Sequence, residues 1–92
     1  MIRQFRHTGL ERLFTLGDAS GVSPQQVKRI LRILAVLHAC SAPDEMNLPG
    51  FRLHQLKGTR KGQWAVSVSG NWRIVFEFDG SDAINVDLVD YH

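Results

Sequence analysis

The stretch QWAVSVSGNWRIVFEFDGSDAINVDL, residues 63–88, decides the fold. Trp64, Val66 and Val68 alternate with Gln63, Ala65, Ser67 and Ser69. After Gly70-Asn71, Trp72, Ile74, Phe76 and Phe78 alternate with Arg73, Val75 and Glu77. A period of two marks strands with one buried face. Asp79-Gly80 is a turn signal, and Ile84, Val86 and Leu88 then resume the alternation against Asn85, Asp87 and Val89. Two hairpins in succession predict three antiparallel strands. Trp64 and Trp72 share their strands' apolar phase, which favours core packing over base stacking. Upstream, residues 51–56 predict a further strand before the loop Lys57-Gly58-Thr59-Arg60-Lys61-Gly62.

Further toward the N-terminus the period becomes helical. Ser23, Pro24 and Gln26 form a start signal of N-cap, first-turn proline and capping box. Val27, Ile30, Leu31, Leu34 and Leu37 follow as an apolar stripe that ends near Cys40, with Lys28, Arg29 and Arg32 opposite. Thr8 and Glu11 have capping-box spacing before a shorter helix carrying Leu10, Leu13 and Phe14 and ending near Gly17. Residues 1–6 suggest a short strand, and residues 41–50, with Pro43 and Pro49, a connection. The expected fold is α+β, with two N-terminal helices on one face of a small antiparallel sheet and a polar set on the other.

A chain of 92 residues, 43% hydrophobic and 22% charged, suits one domain over 1–92 rather than a disordered or fibrous protein. There is no signal-peptide pattern and no apolar run of membrane-spanning length, so the expected location is the cytoplasm and no membrane partner is expected. The single cysteine, Cys40, fits a reducing compartment and reads as a core thiol. Net charge is only +2, but it is segregated. Between Met46 and Phe76 there is no acidic residue, while Arg52, Lys57, Arg60, Lys61 and Arg73 stand there with His54. From Glu77 to Asp90 the carboxylates Glu77, Asp79, Asp82, Asp87 and Asp90 occur without Lys or Arg. A basic centre beside an acidic segment suggests a polyanion site with carboxylates close by.

Those residues match one chemistry. RNA can be cut without a metal when the 2′-hydroxyl attacks its own phosphate, a base removes its proton, an acid protonates the leaving 5′-oxygen, and cations stabilise the phosphorane. His54 and His92 are of the residue type that serves as base or acid at physiological pH, Asp90 can tune a histidine, Tyr91 can stack or donate, and Lys57, Arg60 and Arg73 can hold phosphate charge. His7 and His38 read as structural. No metal site or other cofactor is expected, because the histidines lack paired spacing and no glycine-rich phosphate loop lies between a strand and a helix.

The segment from Leu53-His54-Gln55-Leu56-Lys57-Gly58 through Gln63-Trp64, then Asn71-Trp72-Arg73-Ile74, and the terminal Asp90-Tyr91-His92, resembles HigB toxins of the RelE/ParE superfamily. Met1-Ile2-Arg3-Gln4-Phe5 is similar to their opening. The resemblance implies a toxin of a type II toxin-antitoxin system that cuts mRNA on the 70S ribosome. It implies catalytic roles for His54, Asp90, Tyr91 and His92, and RNA or ribosome contact by Lys57, Arg60, Lys61 and Arg73. It also implies a HigA-like helix-turn-helix antitoxin as partner, with operator DNA contacted only through that antitoxin. Three positions depart from the family pattern. Thr59 replaces a common Asp, Gln63 a frequent aromatic or histidine, and Ser67 a basic residue whose charge Lys61 can supply. The alternatives are a non-enzymatic inhibitor of a protein target such as DNA gyrase, as on the ParE branch, and a non-cleaving module that binds ribosomal RNA.

Overall fold

Both hairpins form, giving β2 (Trp64–Ser69), β3 (Trp72–Asp79) and β4 (Asp82–Asp90), preceded by a two-residue β1 (His54–Gln55). The structure is a computed structural model describing residues 1–91. The sheet is antiparallel in the order β1-β2-β3-β4. The hairpin loops are two residues long, between Ser69 and Trp72 and between Asp79 and Asp82, and each opens with a left-handed glycine, Gly70 (φ 54°) and Gly80 (φ 63°). Positive φ at the first loop position is the II′ geometry that suits the strands' twist.

The helices are α1 (Thr8–Leu16) and α2 (Val27–Ala39), and their apolar faces meet the sheet in one core. Leu10, Ile30, Leu34, Leu37, Phe51, Val66, Ile74, Phe76 and Val86 are all buried there. Residues at the N-terminus border the outer edge of β4 through two parallel bridges, Ile2 with Ala83 and Phe5 with Val86, rather than as a full strand. The exposed donors and acceptors of that edge are thereby partly satisfied.

Several local expectations are corrected. His7, not Thr8, caps α1: its Nδ1 accepts the Leu10 N–H at 3.1 Å. His38 is structural as expected, accepting the Ile2 N–H at 3.1 Å. Residues Pro24–Gln26 form a short 3₁₀ turn before α2, and the Gln26 side chain donates to Ser69 Oγ at 2.9 Å instead of closing a box with Ser23. The buried stripe of α2 is Ile30, Ile33, Leu34 and Leu37, whereas Leu31 is 39% exposed. That set has i, i+3, i+4, i+7 spacing and so occupies one face.

The strand expected over 51–56 shrinks to His54–Gln55 because Gly50 (φ 83°) and Arg52 (φ 54°) adopt left-handed backbone that breaks an extended run. On β4, a bulge at Asn85 (φ 52°) lies where the pairing jumps from Val75↔Asp87 to Glu77↔Ile84. An extra residue reverses the alternation. Ala83, rather than Ile84, therefore joins Val86 in the core. Trp64 packs against the core as expected, but Trp72, at the strand end, is 37% exposed.

Candidate nucleic-acid interface

The sheet face opposite the helices is not wholly polar. Leu56, Ala65 and Val75 form a second, small buried cluster against which Val89 and Tyr91 pack. Register explains the grouping. Paired residues share a face, so His54, Ala65, Val75 and Asp87 make one row across the four strands, and Ser67, Arg73 and Val89 make the next.

Two segments close over this cluster. The basic loop leaves β1, makes a 3₁₀ turn at Gly58–Arg60, and returns to β2 through Leu56 N–H to Gln63 O (2.9 Å) and Gln63 N–H to Arg60 O (3.0 Å). From the other side comes the chain end, held by Tyr91 N–H to Asn71 O at 2.8 Å. Tyr91 is thus anchored, not a frayed tail. The Arg60 guanidinium lies over the Tyr91 ring, 5.8 Å from its centroid, within cation–π range.

An open pocket of about 500 Å³ is lined by Arg60, Val89, Asp90 and Tyr91. A second, of about 250 Å³, lies between β1 and the loop and is lined by Gln55, Leu56, Lys57, Gly58 and Lys61. The two together follow the loop and present Lys57, Arg60 and Lys61 along one margin of the open face.

His54 is exposed on the row of Ala65, and its Nδ1 lies 3.1 Å from Arg52 O. In the Nδ1–H tautomer the ring donates to that carbonyl and Nε2 becomes the acceptor that a general base requires. Arg73 shares this face but is directed to its own turn, donating to Gly70 O (2.8 Å) and Trp72 O (3.0 Å). Asp90 pairs in register with Trp72 and borders the larger pocket. His92 lies outside the described residues. The structure therefore sets Arg60 over Tyr91, keeps Lys57 and Lys61 on the same loop, and leaves Arg73 at the turn end of the face, while Asp90 borders the same pocket from the row of Trp72, opposite in phase to His54 and Val89.

One set of residues was not anticipated. Arg60 Nη1 donates to Gln63 Oε1 (3.2 Å), Gln63 Nε2 donates to Glu77 Oε2 (3.2 Å), and Asn85 Nδ2 donates to the same oxygen (3.1 Å). Strand alternation already placed Gln63, Glu77 and Asn85 in the polar phase of their segments, but not their contact with one another or with Arg60. Cys40 is buried beside Met46, and desolvation pushes its thiol pKa up, as for an inert core thiol. Among the described residues no helix is long and apolar enough to cross a membrane.

Two helices behind a small antiparallel sheet, with a basic loop and chain end across its open face, define a RelE-like toxin domain. The profile of the RelE-like toxins of the type II toxin-antitoxin system HigB matches residues 3–92, and the chain belongs to that family. It is 42% identical to the Endoribonuclease HigB of Proteus vulgaris over 92 residues, the full length of both chains. It is 27% identical to Toxin HigB-1 of Vibrio cholerae over 90 residues, covering 96% of this chain and 95% of that one. Membership in a type II system implies an antitoxin partner.

Proposed function

We propose that this chain is the endoribonuclease of its toxin-antitoxin pair, and that residues 1–92 act as one cytoplasmic toxin domain cutting mRNA on the 70S ribosome. The observation that carries the reading is the closure of the basic loop and chain end over the open sheet face, with Arg60 stacked on Tyr91 and His54 exposed on that face. A single strand laid there meets cations for its phosphates, one of them held over the Tyr91 ring. Full-length similarity to a protein named an endoribonuclease supports the same reading.

In the proposed reaction the substrate's 2′-oxygen bonds to phosphorus and the bond to the 5′-oxygen breaks. His54 and His92 divide the base and acid roles, Asp90 and Tyr91 orient the terminal histidine and the base, and Arg60 with Lys57 and Lys61 stabilises the phosphorane charge. Arg73 contacts RNA at the turn end of the face. The antitoxin partner is a HigA-like helix-turn-helix protein, through which alone operator DNA is met.

The test is 5′-end mapping of translated messages after brief induction, with chemical analysis of the 3′ ends. Discrete new 5′ ends within translated frames, paired with 2′,3′-cyclic phosphate or 3′-phosphate termini, are expected. Intact messages with inhibited gyrase, or arrested ribosomes on uncut messages, would contradict the proposal.

A further inference from the structure

We infer that Gln63, Glu77 and Asn85 form a positioning relay for Arg60, a device that orients its guanidinium in the RNA site without neutralising it. The inference rests on the reading of the open face as the RNA site.

The argument begins with donor and acceptor inventories. A guanidinium only donates and an ionised carboxylate only accepts, so an amide between them satisfies both in one orientation, with oxygen toward Arg60 and nitrogen toward Glu77. That is the observed arrangement: Arg60 Nη1 meets Gln63 Oε1, and Gln63 Nε2 meets Glu77 Oε2, each at 3.2 Å. Turning the amide over would set donor against donor and acceptor against acceptor.

Glu77 is itself held from the far side by Asn85 Nδ2 at 3.1 Å. Asn85 occupies the left-handed bulge residue (φ 52°), and asparagine tolerates that backbone better than most residues. Asn85 thus supplies a donor to Glu77 from the neighbouring strand. Arg60 and Gln63 lie at the loop and its junction with β2, whereas Glu77 and Asn85 stand on β3 and β4. The relay therefore ties a mobile type of element, a basic loop, to the rigid sheet.

Interposing an amide has an electrostatic consequence. A direct Arg60–Glu77 ion pair would cancel the charge needed for phosphate, but the amide passes on orientation and leaves the charge in place. The Gln63 bond uses one of the guanidinium's five N–H donors, so bidentate phosphate binding stays open. The guanidinium also lies over the Tyr91 ring, 5.8 Å from its centroid, so ring and amide constrain it from two directions. Gln63 is one of the positions where this chain departs from the pattern it resembles, which makes the relay a property of this sequence.

The experiment is a double-mutant cycle on full-length toxin with ribosome-bound message, using Glu77→Met, which removes the acceptor that Gln63 and Asn85 share, Arg60→Leu and the pair, with Gln63→Met as a second break in the relay. Thermal melts confirm folding of each variant. Glu77→Met is expected to lower kcat on the order of tenfold with KM within about a factor of two, because misplaced catalytic groups cost rate more than binding. In the Arg60→Leu background the same change should cost less than about a further twofold, since groups acting as one unit are not additive.

An activity-free readout accompanies the cycle. In the parent, the Tyr91 ring current is expected to shift the Arg60 side-chain proton resonances. Glu77→Met and Gln63→Met should each move them toward free-arginine values and leave the His54 ring resonances in place. Multiplicative losses in the cycle, or unmoved Arg60 resonances, would overturn the relay. Should Arg60→Leu cut at the parent rate while the resonances move as expected, the failure belongs to the placement of Arg60 in the RNA site, and the catalytic purpose of the relay falls with it.

Discussion

Replacing Tyr91 by alanine tests whether the chain end is a working part of the sheet's open face. Tyr91 is half-buried, packs on Leu56, Ala65 and Val75 beside Val89, and carries Arg60 on its ring. Fully burying a large apolar side chain contributes about 1.5–3 kcal/mol, so a half-buried ring contributes roughly 1 kcal/mol. An exposed cation–π contact adds about 0.5 kcal/mol. Tyr91→Ala is therefore expected to cost about 1.5 kcal/mol, which for a domain of this size lowers Tm by roughly 6–12 °C. Tyr91→Phe keeps the ring and should melt within a few degrees of the parent, so its cleavage rate reports on the hydroxyl alone. Thermal melts by circular dichroism, with cleavage of ribosome-bound message on the same samples, give both numbers. A Tyr91→Ala variant that melts with the parent would refute the reasoning, because the ring could then not be covering the second cluster.

Reversing Lys57, Arg60 or Lys61 to Glu should weaken RNA or ribosome association and flatten its salt dependence by about one unit of slope or more, since fewer counterions are released; titrations at several salt concentrations check this. His7→Ala removes the side-chain acceptor that caps α1 and should cost about 1 kcal/mol, read from urea melts, with cleavage unaffected once allowance is made for the folded fraction. Cys40, buried and with its thiol pKa raised by desolvation, should be alkylated at pH 8.5 far more slowly than free cysteine until denaturant is added.

The helices and hairpins were legible because each rests on a period that burial enforces. Ile30, Leu34 and Leu37 must turn inward together, and Val66, Ile74 and Phe76 must share one face. What escaped the sequence were local backbone events. Nothing in Asn85 announces a left-handed bulge, yet that residue decides whether Ala83 or Ile84 is buried. Arg52 likewise gives no sign that it interrupts the strand before His54. Trp72 has the phase of a core residue, but it stands at the first position of β3 and is left more than a third exposed. In the site, Lys57, Arg60, Lys61 and His54 were visible from charge segregation and motif. The Gln63–Glu77–Asn85 network was not, because its members come from three strand segments and meet only through register. Thr8, a better capping type than histidine, lost its place to His7 because the extended backbone falls one residue earlier.

The central claim is that the open sheet face carrying His54 and the chain end cuts RNA. Its most direct measurement is the single-turnover cleavage rate of a ribosome-bound message by the parent, by His54→Ala, and by a variant lacking His92, with ribosome binding followed in parallel. The account predicts that all three bind alike, that each variant cuts roughly a hundredfold or more slowly, as befits a lost general acid or base, and that combining the changes costs less than their product. A His54→Ala protein that folds, binds and cuts at the parent rate would contradict it.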